Sequence, residues 1–173
     1  MVIISTRRGI ALSLVSPPAL SKENTLILQT DPLLNEKINK YGCYLMSILF
    51  LVNKHTGRGF DRSDINYQYY NLRDTPFMDE DCFMDDPPEV FTFLGLPMAC
   101  VMIAQAGYIP APDQLEILHF KRRYWNNEEG RNITYGHFTV GNGTGSVTYD
   151  PAGNSNAVKY GHLESKRIFT RSN

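Results

Sequence analysis

The chain has 173 residues, 42% of them hydrophobic, and a formal charge of −1. This length is enough for one domain with its own core, and the balanced charge argues against nucleic-acid binding, which normally requires an excess of Lys and Arg. Three cysteines without CxxC spacing argue against a disulfide framework or a zinc cluster, and the longest apolar run, Tyr44–Val52, is too short to cross a bilayer.

The chain is expected to begin with a leader, residues 1–24, that is poorly ordered or loosely docked, followed by a single domain over residues 25–173. Two arginines before a short apolar stretch in the leader keep secretion open as an alternative to a cytoplasmic location. The stretch "TLILQTD" predicts a short strand, and Asp31-Pro32 predicts a helical segment from Leu33 to about Lys40.

Three longer helices are predicted next. The helix that begins at Cys43 is apolar on nearly every side, which is typical of a helix in the middle of a fold. Asp61 or Ser63 is expected to cap the second helix. The third has Asp86 as its cap, prolines in its first turn and Gly95 just past its end.

Beyond Gly107 the pattern changes from helical to alternating. The segments "QLEILHFKRRYW" and "YGHFTVGNGTGSVTYDP" alternate apolar and polar residues, and a loop rich in Gly and Asn interrupts the second. This pattern predicts antiparallel strands and a β-hairpin. Helices in the first half and strands in the second predict an α+β domain.

The turn of this hairpin determines which side chains meet. A turn at Gly143-Thr144 would place His137 opposite Asp150 and Phe138 opposite Tyr149, on shared faces of the sheet. A turn at Asn142-Gly143 would move the partner of His137 to another residue. The first arrangement predicts a hydrogen bond between an imidazole and a carboxylate.

A cysteine hydrolase needs a nucleophile, a histidine that takes its proton, and a third group that orients the histidine. Cys43 lies at the start of a helix, where the helix dipole favours a thiolate. His137 and Asp150 supply the other two groups. By contrast, Cys82 lies among carboxylates that are expected to raise its pKa, and Cys100 is expected to pack in the core.

The motifs "YGCYLMSI", "GHFTV" and "YDPAGNS" resemble those of the papain-like cysteine peptidases, especially the bacteriocin-leader-processing branch and its bacterial and phage relatives. The likeness covers roughly residues 35–155. It implies a papain-like fold with a central buried helix on an antiparallel sheet. It also implies that Cys43 is the nucleophile, His137 the general base and acid, and Asp150 the orienting residue.

One position departs from that family. A glutamine usually stands six residues before the cysteine and helps to bind the oxyanion, but this chain has Lys37 there. Asn39 is the nearest amide and is the candidate replacement. An acidic segment that includes Asp81, Asp85 and Asp86 is expected to attract a cationic substrate, with a calcium site as the alternative.

These observations predict amide or peptide hydrolysis by a monomer without cofactor or metal. The resemblance suggests a peptide or peptidoglycan-derived substrate. Two alternatives stay open: an inactive relative that binds a peptide, which Lys37 favours, and a regulatory protein in which Cys43 is a core residue. His119 is a second candidate base, but a structural role is the simpler interpretation.

Overall fold

The computed structural model describes residues 26–172, without the side chain of Cys100. The predicted leader, residues 1–24, lies outside this range. Within it, none of the helices combines the length and the apolar character that a membrane span requires.

The helices of the first half follow the predicted order. Asp61 caps the third helix through a reciprocal capping box with Asp64, and Asp86 caps the fourth. The second helix ends at Gly57, which adopts a left-handed conformation with φ of 66°. The predictions of these three helices are confirmed. The bounds are α1 Glu36–Tyr41, α2 Cys43–Thr56, α3 Arg62–Leu72 and α4 Pro87–Phe93.

The segment before α1 differs from its prediction. Residues 26–31 form no strand, so the strand predicted for "TLILQTD" is wrong over that part. The helix begins at Glu36 and not at Leu33, because the side chain of Asn35 accepts the N–H of Lys37 and caps the helix there.

The second half contains five strands and a fifth helix. Their bounds are β1 Met98–Gln105, β2 Gln114–Asn126, β3 Arg131–Gly141, β4 Val147–Tyr149, α5 Asn156–Tyr160 and β5 His162–Arg171. The strands form one antiparallel sheet with the order β1-β5-β2-β3-β4. The α+β prediction is therefore confirmed. The first strand precedes Gly107, so the predicted start of the strands was too late.

Helix α2 packs against the sheet in the main core. Leu45 and Ile48 of α2 are fully buried, as are Ile117 and Val140 of the sheet. Each such side chain contributes about 1.5–3 kcal/mol on burial. A smaller cluster lies on the other face of β2, where Leu118 and Phe120 pack against Ala157 of α5. Strand β2 is therefore covered by apolar contacts on both of its faces.

The hairpin register also differs from the prediction. Val140, and not Phe138, pairs with Tyr149, and a bulge separates Val140 from Gly141. The turn is longer than two residues: the N–H of Asn142 donates to the carbonyl of Ser146 at 3.0 Å. Gly143 and Gly145 both have φ of 87°, which favours glycine there.

Candidate active site

Cys43 is held at the junction between two helices. Gly42 ends α1 by donating its N–H to the carbonyl of Ile38 at 2.8 Å, and Cys43 begins α2. A Cβ atom at Gly42 would lie 2.6 Å from that carbonyl oxygen, so a side chain does not fit. The thiol is half-buried, at a helix end where the first N–H groups have no partner within the helix.

His137 connects the thiol to a carboxylate. The side chain is buried, and its Nε2 lies 2.6 Å from Oδ1 of Asp150. Cys43 interacts with the same imidazole, and this interaction contributes to the raised pKa of His137. Because Nε2 is engaged by Asp150, Nδ1 is the nitrogen left for the thiol. Three residues from distant parts of the chain therefore meet at one site.

The turn after β4 fixes the carboxylate of Asp150. Its Oδ1 accepts the N–H of Ala152 at 3.0 Å, and its Oδ2 accepts the N–H of Ser155 at 2.8 Å. Ser155 is in turn the cap of α5. Asp150 is therefore oriented by its own turn, although it does not lie directly opposite His137 in the strand pairing.

The electrostatics of the pair favour an imidazolium beside a carboxylate. Burial lowers the pKa of His137, but hydrogen bonds to Asp150 and Cys43 outweigh it and raise the pKa from 6.5 to about 9. Burial raises the pKa of Asp150, but the hydrogen bonds from His137 and Ser155 bring it below its ordinary value. A charged His137 at neutral pH can donate a proton to a leaving group.

Asn39 was predicted to help bind the oxyanion, but its side-chain amide is bound to backbone carbonyls. Its amide nitrogen donates to the backbone carbonyls of Gln29 at 2.5 Å and Asp31 at 3.0 Å. These contacts use both of its hydrogens, so the side chain has none left for an oxyanion in this arrangement. The side chain of Asn39 therefore stabilises the segment before α1.

Gln29 is a polar residue that the sequence reasoning missed. Its side chain is buried and donates to the carbonyl of Asn39 at 3.0 Å, and its backbone N–H donates to the carbonyl of Pro151 at 2.7 Å. It thus joins the chain just before Cys43 to the chain just after Asp150. The available signal was a single amide inside the apolar run "LILQ".

The acidic segment makes one ion pair with a distant residue and caps its own helix. Asp81 forms an ion pair with Lys37 at 2.7 Å, and Asp86 caps α4 through the N–H of Glu89 at 3.3 Å. Asp85 is exposed. Across residues 26–172, no three His, Cys, Asp or Glu side chains are grouped so as to hold a metal ion.

The surroundings of Cys82 and His119 differ from those of Cys43 and His137. Burial, the carboxylate of Asp79 and the nearby Cys43 raise the pKa of the Cys82 thiol to about 12. The predicted direction is confirmed, with burial as the larger cause. His119 stacks on Phe138 at 4.5 Å between ring centroids, and its Nδ1 lies 3.1 Å from Glu164. These contacts account for His119 without a catalytic role.

The fold and the site together define an α+β domain in which a cysteine, a histidine and an aspartate meet. The chain belongs to a family described as "Protein of unknown function, DUF261", whose model matches residues 26–171. Neither a search of curated proteins nor a search of solved structures found a match.

Proposed function

We propose that this protein is a cysteine peptidase or amidase with a papain-like fold. The observation that carries the proposal is the meeting of three residues: Nε2 of His137 lies 2.6 Å from the carboxylate of Asp150, and the imidazole interacts with Cys43. A nucleophile, a proton carrier and an orienting acid in this order are the parts that acyl transfer by a thiol requires. The four helices that precede the antiparallel sheet and the position of Cys43 at the start of a buried helix agree with the same class.

The proposed reaction has two stages. In the first, Cys43 reacts as a thiolate whose proton is already on His137: the sulfur attacks the amide carbon, and the C–N bond breaks as His137 protonates the leaving amine and becomes neutral. In the second, water attacks the resulting thioester after losing a proton to His137, and the C–S bond breaks to release a carboxylic acid. Asp150 stabilises the imidazolium in both stages.

The oxyanion requires N–H donors. The backbone N–H of Cys43, at the start of α2, is the first candidate. Gln29 is the second, because its amide donates one hydrogen to Asn39 and retains another. Removing a donor of this kind lowers turnover by about 10²–10³-fold. Gln29→Ala should therefore reduce hydrolysis without slowing alkylation of Cys43; equal turnover in both proteins would remove Gln29 from the mechanism.

Thiol labelling tests the proposal directly. The native chain is treated with iodoacetamide over a pH series, and each cysteine is quantified by peptide mass spectrometry. Cys43 should react rapidly, whereas Cys82 should react only after denaturation, because it is buried with a raised pKa. Slow labelling of Cys43 that also requires denaturation would contradict the proposal.

Hydrolysis is then measured on mixed peptides and on peptidoglycan stem peptides, with new termini read by mass spectrometry. The stem peptides are chosen because the sequence resembles bacterial and phage relatives of the leader-processing peptidases. Cys43→Ser and His137→Gln serve as inactive controls. Rapid labelling of Cys43 without any cleavage would instead favour the alternative hypothesis of an inactive relative that binds a peptide. Lys37 at the usual glutamine position supports that alternative.

A further inference from the structure

A cluster of tyrosines surrounds an arginine on β2. The guanidinium of Arg122 lies 5.4 Å from the ring centroid of Tyr124 and 5.2 Å from that of Tyr160. Tyr124 and Tyr135 meet edge to face at 5.9 Å, and Nζ of Lys159 lies 4.9 Å from the ring centroid of Tyr160. We call these five residues the arginine–tyrosine cluster.

The two cations of the cluster have no carboxylate partner in the part of the chain that the structure describes. Several basic side chains in residues 26–172 have a carboxylate within 4 Å, including Lys37, Arg62 and Lys121. Within the same part of the chain, neither Arg122 nor Lys159 forms such an ion pair. A guanidinium held between aromatic rings keeps its N–H groups available at its edge, where they match the geometry of a carboxylate.

The cluster remains accessible. Lys159 is exposed, Tyr160 is 60% exposed and Tyr124 is 37% exposed. Tyrosine rings at a surface offer rigid contact area with little loss of conformational entropy. A ligand that is both extended and acidic suits this surface, which has two exposed tyrosines, the partly buried Tyr135 and two cations without a carboxylate partner among residues 26–172.

The cluster lies on β2, β3 and α5, and β3 also carries His137. Tyr135 pairs with Arg122 across β2 and β3, and His137 pairs with Phe120 in the same unbroken register. Tyr135 therefore lies on the same face of β3 as His137, about 7 Å along the strand.

The part of the cluster on α5 is connected to Asp150 by a hydrogen bond. Helix α5 carries Lys159 and Tyr160, and the N–H of its cap residue, Ser155, donates to Oδ2 of Asp150 at 2.8 Å. The same short helix packs against β2 through Ala157. The cluster is thus fixed in position relative to both His137 and Asp150.

We propose that the arginine–tyrosine cluster is a substrate-binding subsite that takes an acidic segment of a polypeptide. Carboxylates of that segment would be bound by Arg122 and Lys159, and its backbone would lie against the tyrosine rings. At about 3.3 Å per residue, the distance of about 7 Å along β3 places the acidic residues roughly two positions from the cleaved bond. That the bound peptide is a substrate rests on the proposed function, whereas binding of an acidic peptide to the cluster does not.

Binding is tested on the full chain with Cys43→Ala, which prevents turnover. Fluorescence anisotropy is measured with three dye-labelled octapeptides that differ only in carrying four Glu, four Gln or four Lys. The Glu peptide should bind most tightly, and Arg122→Gln or Lys159→Gln should weaken it by about tenfold, as expected for loss of a charged hydrogen bond.

Arg123→Gln is the matched control, because it removes the same charge from the next residue of β2, on the opposite face of the strand. Thermal melts establish that all variants are folded. Equal affinity for the Glu and Gln peptides, preference for the Lys peptide, or an equal loss in Arg123→Gln would overturn the proposal. So would tighter binding of a neutral N-acetylglucosamine trimer, which would assign the tyrosines to a sugar.

The two proposals fail in different ways. If Cys43 in the otherwise native chain is rapidly alkylated but the Glu peptide shows no preference, the subsite is wrong and the nucleophile stands. If the Glu peptide binds through Arg122 but Cys43 is unreactive, the proposed hydrolase is wrong, and the cluster is a binding site for an acidic polypeptide without catalysis.

Discussion

Asp150 accepts a hydrogen bond from His137 at 2.6 Å although the two residues are not opposite each other in the strand pairing. The carboxylate reaches the imidazole because Asp150 has left β4 and its own turn, through Ala152 and Ser155, directs it. The geometry of this turn, and not the register of the hairpin, therefore determines which carboxylate contacts His137.

Removing the charge of Asp150 should weaken the site without unfolding the protein. In Asp150→Asn the pKa of His137 should fall from about 9 toward 6.5, because the hydrogen bond that raises it is weakened. Turnover should fall by up to about 10⁴-fold, as for loss of the acid in other triads. NMR titration of His137 measures the first effect, and Asp74→Asn, at an exposed carboxylate, is the control. An unchanged titration would show that Asp150 does not control the imidazole.

Stability should decline as the pH rises above neutrality. The pKa of His137 is about 9 in the folded chain against 6.5 ordinarily. Its contribution is therefore fully present below pH 6.5 and is lost as the pH rises through 9, by up to about 3 kcal/mol. The pKa of Asp150 is lowered, so its contribution is present above 3.8 and is lost as the pH falls below that value.

Urea unfolding between pH 5 and 9.5 measures the alkaline decline. The decline should be much smaller in His137→Gln, whereas His162→Gln, at an exposed position, should keep it. A decline of equal size in His137→Gln would show that another titrating group causes the loss of stability.

Gly42→Ala should displace the nucleophile. The new Cβ would lie 2.6 Å from the carbonyl oxygen of Ile38 and 2.8 Å from its Cα, so the junction between α1 and α2 has to move. Overpacking of this kind costs about 1–3 kcal/mol. The free energy of unfolding and the alkylation rate of Cys43 should both fall. Gly107→Ala is the control, since nothing lies within 4 Å of its added Cβ; equal effects at both positions would contradict this account.

Lys166→Met should be strongly destabilising. Lys166 and Glu116 form an ion pair at 2.9 Å, with side chains only 2% and 1% exposed. Glu116 also accepts the N–H of Gly143 at 2.6 Å, which ties the pair to the turn between β3 and β4. Losing one partner leaves a buried charge and costs about 3–5 kcal/mol.

Guanidinium unfolding measures the effect. Adding Glu116→Gln to Lys166→Met should recover part of the loss, because it removes the unpaired charge. Lys121→Met breaks a more exposed pair with Glu164 and should change stability by less than about 1 kcal/mol. A similar loss for the Lys121 and Lys166 variants would show that burial of the pair is unimportant.

The sequence alone determined the features that depend on neighbouring residues. Helix α2 could be predicted from Cys43 to its glycine end, and Asp61 and Asp86 could be predicted as caps, because helix hydrogen bonds and caps join residues three or four positions apart. The three residues of the candidate site could also be named, from their chemistry and from a family resemblance.

Tertiary structure decided what depends on distant segments. The order of the sheet, the bulge after Val140 and the burial of Gln29 between Asn39 and Pro151 are all set by contacts across long stretches of chain. The pairing of Glu116 with Lys166 joins residues on different strands, and neither residue predicts the other. Local patterns carry no information on such contacts, because their free energy arises only when the segments have packed together.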